Sequence, residues 1–382
     1  MQAENGSWTP KDGFKATQSN LRDKAQVIFY FGSNDILSNP SIYGAFKERY
    51  PKAEILGCST GGEILNEEVN DDTCVYMALS FDKTKVKAIS EFIKSYEDSY
   101  RVGEKLGKQL NTPDLRGVMM LSEGLVVNGS DLVKGMNSQI DTTKVTVSGG
   151  LAGDGGRFKQ TLVGCNDNPQ TQFVAAVGLY GDDIIIRTGS EGGWQSFGPK
   201  RVITQSKGNV LYELDGKPAL ELYKKYLGDE AQNLPGSALH FPLAIWPKDK
   251  KQEDAVIRTI LSVNEDNHSM VFAGDVPEGY NAQLMWGKFD SIVDGAILSA
   301  REAVAPKENV HSNSVSIIIS CIGRKSLMGQ RIIDEIEQAS KVLGNDNLRI
   351  GFYSYGEIAK QKFYGSSALH NQTMTITTFS EK

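Results

Sequence analysis

The stretch Gly351-Phe352-Tyr353-Ser354-Tyr355-Gly356-Glu357-Ile358 decides how this chain is read. It follows Leu348-Arg349-Ile350, which reads as the end of a strand. A near copy, Gly57-Cys58-Ser59-Thr60-Gly61-Gly62-Glu63-Ile64, follows Ala53-Glu54-Ile55-Leu56 far upstream. Both begin with glycine, carry a hydroxyl in the middle and close on Gly-Glu-Ile at the same offset. A looser third version, Ser148-Gly149-Gly150-Leu151-Ala152-Gly153-Asp154, follows Lys144-Val145-Thr146-Val147. Each sets a glycine turn and a carboxylate just past a buried strand. Glycine suits a turn with positive φ, or a backbone that is approached closely, because it has no Cβ. The three loops are therefore expected to rim one ligand site.

At 382 residues the chain can fill two cores. It is 40% hydrophobic and 23% charged, with a net charge of -6, and that mild acidity argues against nucleic acid as a partner. No apolar run approaches the ~18 residues of a membrane span. The start, Met1-Gln2-Ala3-Glu4-Asn5-Gly6, lacks the basic and apolar parts of a secretory signal. The four cysteines, Cys58, Cys74, Cys165 and Cys321, are far apart and sit in or beside apolar segments, so they read as buried thiols. The expectation is a cytoplasmic protein.

Residues 1–23 are polar and read as an extended arm. Gln26-Val27-Ile28-Phe29-Tyr30-Phe31 is a continuous apolar run, the pattern of a strand covered on both faces. Asn39-Pro40-Ser41 opens a helix that carries Ile42, Phe46 and Tyr50, and Ile55-Leu56 is the next strand. The same strand–helix–strand order recurs from Gly117 to Val147 and from Val315 to Ile350, where Gly344 is a C-cap. Phe173–Tyr180, Ile184–Arg187 and Thr373–Thr378 add β pairs. The spacing predicts two mixed α/β domains, 24–210 and 211–382, with ligands gathered beyond the carboxyl ends of the strands.

In this order the loops, together with Leu214-Asp215-Gly216-Lys217-Pro218-Ala219-Leu220-Glu221-Leu222-Tyr223 and Leu369-His370-Asn371-Gln372-Thr373-Met374, resemble the FIST family, proteins with paired FIST N and FIST C regions. The likeness covers about residue 25 to 375. It implies an intracellular sensor of a small ligand, with amino acids the family-level suggestion. One branch binds haem b, senses the gas nitric oxide and acts on a partner histidine kinase in a two-component system. No kinase, receiver or cyclase segment is evident here, so signalling is expected to pass through a separate protein.

Residue readings stay open between ligand contact and loop support. Glu357 and Glu63 could fix a ligand ammonium by a charge-assisted bond, or could lock their own loops. Tyr353 and Tyr355, alternating about Ser354, share a face on an extended segment and could wall a pocket or pack in a core. His370 and Asn371 could donate to a ligand carboxylate or pin the Gly356-Glu357 loop. Asp154 belongs to the same proposed rim. His240 lies in Ala238-Leu239-His240-Phe241-Pro242-Leu243 and reads either as a satisfied core or surface histidine or, as the resemblance to the haem branch implies, as a proximal haem ligand. His268 and His311 sit in polar stretches and read as solvated. Gly57-Cys58-Ser59-Thr60-Gly61 matches the Gly-x-Ser-x-Gly elbow of a serine hydrolase, but no amphipathic helix follows Ser59, so catalysis is not expected. The Gly-rich run from Gly150 to Gly156 leaves phosphate cradling open.

Overall fold

Alternation within three apolar runs builds the framework. In strand Val27–Gly32, Val27, Phe29 and Phe31 face one core while Ile28 and Tyr30 face another. In Leu115–Ser122, Met119 and Leu121 share that first core, and Val118 and Met120 turn away. In Val315–Cys321, Ile317 and Ile319 join it, and Ile318 is buried in a third core. A strand covered on both faces needs apolar residues at every position, which is why these runs are continuous. The computed structural model describes residues 1–16, 20–304, 314–361 and 365–382.

Each central strand pairs in parallel with the strand that delivers a Gly-acid loop: Glu54–Ser59, Thr146–Leu151 and Leu348–Ser354 in turn. Helices Ile42–Arg49, Gly129–Asn137 and Ile332–Leu343 make the crossovers. On its other side each central strand pairs antiparallel with Cys74–Ser80, Phe173–Tyr180 or Met374–Glu381. A fourth strand, Gln2–Thr9, Lys85–Phe92 or Ile184–Glu191, extends each sheet further. The three sheets thus share one plan. Their inner faces pack into a single core, where the rings of Phe31 and Phe352 lie 4.5 Å apart.

After each Gly-acid loop the chain leaves its own sheet. Glu63–Leu65, from the first unit, pairs with Leu348–Ser354 of the third. Gly356–Lys360, from the third, pairs with Thr146–Leu151 of the second. Val163–Cys165, from the second, pairs with Glu54–Ser59 of the first. The exchange is cyclic, and every sheet ends on a strand lent by another unit.

A fourth sheet, antiparallel throughout, is built from strands between Gln195 and Trp286, with helix Ala219–Leu227 and a core of its own. It is inserted between Ile184–Glu191 and helix Phe289–Ala303, whose Ser299 bonds back to Glu191 N and Met374 O. Arg324 ties the two ends of the insertion together. It is fully buried, pairs with Glu335 at 2.8 Å, and donates to Gly192 O and Ile292 O.

The result is the mixed α/β fold of two domains that the sequence predicts. The expected division at residue 210 does not follow the strand pairing, because strands from both sides of it share three sheets. The N-terminal arm is also corrected. Gln2–Thr9 and Gly13–Ala16 are sheet strands. The polarity that suggested an arm includes buried Glu4, whose carboxylate accepts from Arg49, Tyr50, Tyr76 and the Leu21 amide. His311 lies outside the described residues.

Because Phe352 sits where sheets meet, Phe352→Ala should lower unfolding stability by about 3–5 kcal/mol in urea titrations. A loss under about 1 kcal/mol would contradict a shared core.

Candidate functional site

The three loops meet, as the repeated motif predicts, but they grip one another rather than a hollow. Gly61 N donates to Tyr353 O at 2.7 Å, Gly153 N to Ser59 O at 2.9 Å, and Tyr355 N to Leu151 O at 3.2 Å. Counted from the first glycine of each loop, the fifth residue donates to the third residue of a neighbour every time. A closed ring of three backbone bonds results. A Cβ on Gly153 would lie 3.2 Å from Gly61 N and 3.3 Å from Tyr353 O, so bulk at this point would wedge the ring.

The carboxylates lock this ring. Glu63 accepts from Thr60 Oγ1 through one oxygen, and from Thr73 N (3.1 Å) and Thr73 Oγ1 (2.9 Å) through the other. Glu357 repeats the wiring with Ser354 Oγ (2.6 Å), Thr373 N (3.1 Å) and Thr373 Oγ1 (2.9 Å). Burial raises both carboxyls to about 7, although the hydroxyl and amide donors oppose it. Asp154 is wired differently. It accepts from Tyr355 and from the amides of Phe158, Lys159 and Gln160. Burial alone would raise its pKa, but these four donors hold it below the usual carboxylate range. An anion thus already fills the Gly150–Gly156 turn, which removes the phosphate reading.

Other expected contacts separate. Strand Leu348–Ser354 ends before Tyr355, and the chain passes to another sheet as Gly356–Lys360. Tyr353 and Tyr355 therefore do not share a face. Tyr353 packs with Ile318 and Met374 and reaches Glu335 at 3.4 Å, whereas Tyr355 packs with Val127 and Leu151. Ser59 is buried and accepts from Leu162 N at 2.9 Å, and a strand, not a helix, follows its turn. That is not the exposed elbow a hydrolase needs. His370 is pushed down to about 4 by burial and by Arg258, and its Nε2 meets Ala359 O at 3.3 Å. Asn371 is fully buried, and neither amide atom has a partner among the described residues.

Beside the ring lies a cavity of about 470 Å³. Leu151, Phe158, Cys321 and Tyr355 form its floor, and Thr259, Leu261 and Val271 of the inserted sheet form its roof. The Phe158 ring stacks on Tyr355 at 4.5 Å. Glu63, Asp154 and Glu357 line none of the cavities described, while His370 and Thr373 line a separate trough of about 700 Å³. Sequence reasoning reached Tyr355 but missed Thr259, Leu261 and Phe158. Only their apolar or β-branched character was visible, and nothing in it marks a wall.

Family comparison adds to this geometry. The FIST N domain model matches residues 26–217, and the FIST C domain model matches residues 219–360. The chain belongs to the FIST family. FIST domains are sensor domains of signal transduction. An uncharacterized protein of Methanocaldococcus jannaschii is similar, at 23% identity over 401 residues, covering 92% of this chain and 73% of the relative. Among the described residues no helix is long and apolar enough to cross a membrane.

The residues of this FIST protein do not fit a haem. His240 is half-buried, its Nε2 meets Ser326 Oγ at 3.1 Å, and it lines none of the cavities described. The 470 Å³ cavity has no histidine, lysine or arginine in its walls, so it offers no imidazole to the iron and no cation to the propionates. Burial pushes its Cys321 thiol up, away from the thiolate that would bind iron. His240→Ala should leave the Soret spectrum of added haemin unchanged; a His240-dependent band would reverse this assignment.

The raised carboxyls set a sign for pH dependence. A carboxyl whose folded pKa exceeds its unfolded value stabilises below about 4.5 and loses that contribution as pH rises through about 7. Buried His370 works in the opposite direction as pH falls through about 6.5, so the variant difference is the informative quantity. The stability of wild type minus that of Glu357→Gln should fall between pH 5 and pH 8 in urea titrations. A flat difference would show that Glu357 titrates normally.

Proposed function

We propose that this chain is a small-ligand sensor whose ligand sits in the 470 Å³ cavity between the ring of loops and the inserted sheet. The observation that carries the reading is that both domains wall the cavity, so a ligand would change how they meet. Tyr355 touches the cavity and also donates to Asp154, whose carboxylate orders residues 158–160. Contact with the ligand is thereby linked to the ring. Arg324 holds Gly192, just before the inserted sheet, and Ile292, just after it, and a hinge at this pair of crossings would let the sheet shift when ligand binds. The output is a partner protein, a histidine kinase, that distinguishes two arrangements of the inserted sheet.

Hydrogen–deuterium exchange with the molecule that co-purifies, identified by mass spectrometry, tests this. Protection is expected in residues 155–160 and 259–273, and slower exchange around 192 and 292. A ligand that protects neither of the first two segments would overturn the site.

A further inference from the structure

The walls of the 470 Å³ cavity carry a chemical preference, which rests on the reading of that cavity as the ligand site. Two residues of its wall, Thr259 and Tyr96, carry hydroxyl oxygens that are buried and have no hydrogen-bond partner among the described residues. Thr259 is 4% exposed. Folded proteins rarely leave such groups unpaired, because the lost hydration is not replaced. Both residues line one space, where a ligand group can supply the missing bond once the hydroxyl turns toward it.

The rest of the wall excludes charge. It has no lysine, arginine or histidine, and Glu97, its one acidic side chain, is exposed. An anion entering would shed water and meet no countercharge. Apolar surface predominates instead, and Leu125, Phe158 and Leu261 remain 37%, 40% and 44% exposed around it. Clustered apolar exposure of this kind marks a surface that awaits a partner. We propose that the cavity takes an uncharged, largely apolar small molecule carrying one hydrogen-bonding group, a carbonyl, hydroxyl or diarylamine N–H, that bonds Thr259 and Tyr96. The volume lies within the range that encloses a drug-sized molecule. The hydroxyls both donate and accept, so they fix where the polar group sits without dictating its type.

A matched pair of fluorescent probes tests the charge preference on the full chain. N-phenyl-1-naphthylamine is uncharged and has one N–H; 8-anilinonaphthalene-1-sulfonate adds a sulfonate to the same skeleton. The uncharged probe should bind roughly tenfold more tightly or better, since the sulfonate must be desolvated without a cation. Thr259→Val removes no bond within the protein and should weaken the uncharged probe about fivefold. Leu261→Trp alters an exposed wall and should weaken it about tenfold by filling space. Thermal unfolding of both variants should match wild type. Equal or tighter binding of the sulfonate, with Leu261→Trp blocking both probes, would overturn the charge preference and leave the site standing. Binding that neither substitution changes, or no binding of either probe, would overturn the inference. Protection by a co-purified ligand in segments 155–160 and 259–273 would then still uphold the site.

Discussion

Three backbone hydrogen bonds, each from the fifth residue of one loop to the third residue of another, hold this molecule in register. They close a ring because each loop then sends its chain into a neighbouring sheet. No unit completes its own sheet, so none can be stable apart from the others. The glycines of the ring follow from this constraint, since three backbones approach within van der Waals distance at Gly153. So do the buried carboxylates. Glu63 and Glu357 each gather a hydroxyl from before the turn and a threonine from after it, which fixes the angle at which the chain leaves. The pairing of Glu63–Leu65 with Leu348–Ser354 spans most of the chain, and closure of so long a loop makes the body slow to assemble.

The functional asymmetry arises where the repeats differ. Glycine stands at the fifth position of the first two loops, but the third has Tyr355. Its ring fills the space beside the ring of bonds and its hydroxyl meets Asp154. The second loop, in turn, has an aspartate that collects three successive amides instead of two hydroxyl groups. Phe158, a few residues on, takes a positive φ of 50° and lies flat on Tyr355. At that one seam the packed repeat gives way to a cavity. The insertion covers the same side, so a shared wall between two domains forms without any new element in the repeated body.

Arg324 and Glu335 show how the insertion is held. Both are fully buried, and the guanidinium bonds the carbonyls at which the chain leaves and returns. A buried pair of this kind contributes little net stability, because desolvation offsets the attraction, yet removal of either partner is strongly destabilising. Its effect is to fix position. The inserted sheet is anchored there and again where Arg258 donates to Leu369 O and Asp275 meets Lys134 and Asn128, so its seat on the body is defined at more than one place.

Strand and helix identity was legible from the chain alone. Val27–Phe31 and Val315–Ser320 had to be strands covered on both faces, and the helix over Ile332–Leu343 with its stop at Gly344 followed from spacing. The repetition of the Gly-acid loop also announced that the loops belong together, because three copies of one turn imply one local geometry. What the sequence left undetermined was partnership. A strand's period of two settles which residues share a face, but it does not say which distant strand lies alongside, and so the exchange among sheets stayed hidden. The carboxylates of Glu63 and Glu357 looked available for a ligand because their partners Thr73 and Thr373 lie ten and sixteen residues onward, beyond any local rule. Tyr353 and Tyr355 parted company because the sheet ends between them. The cavity, and the solitary hydroxyls of Thr259 and Tyr96 in its wall, exist only because two domains fold against each other; an unpaired group is a property of what the fold brings near it, and no residue type encodes that.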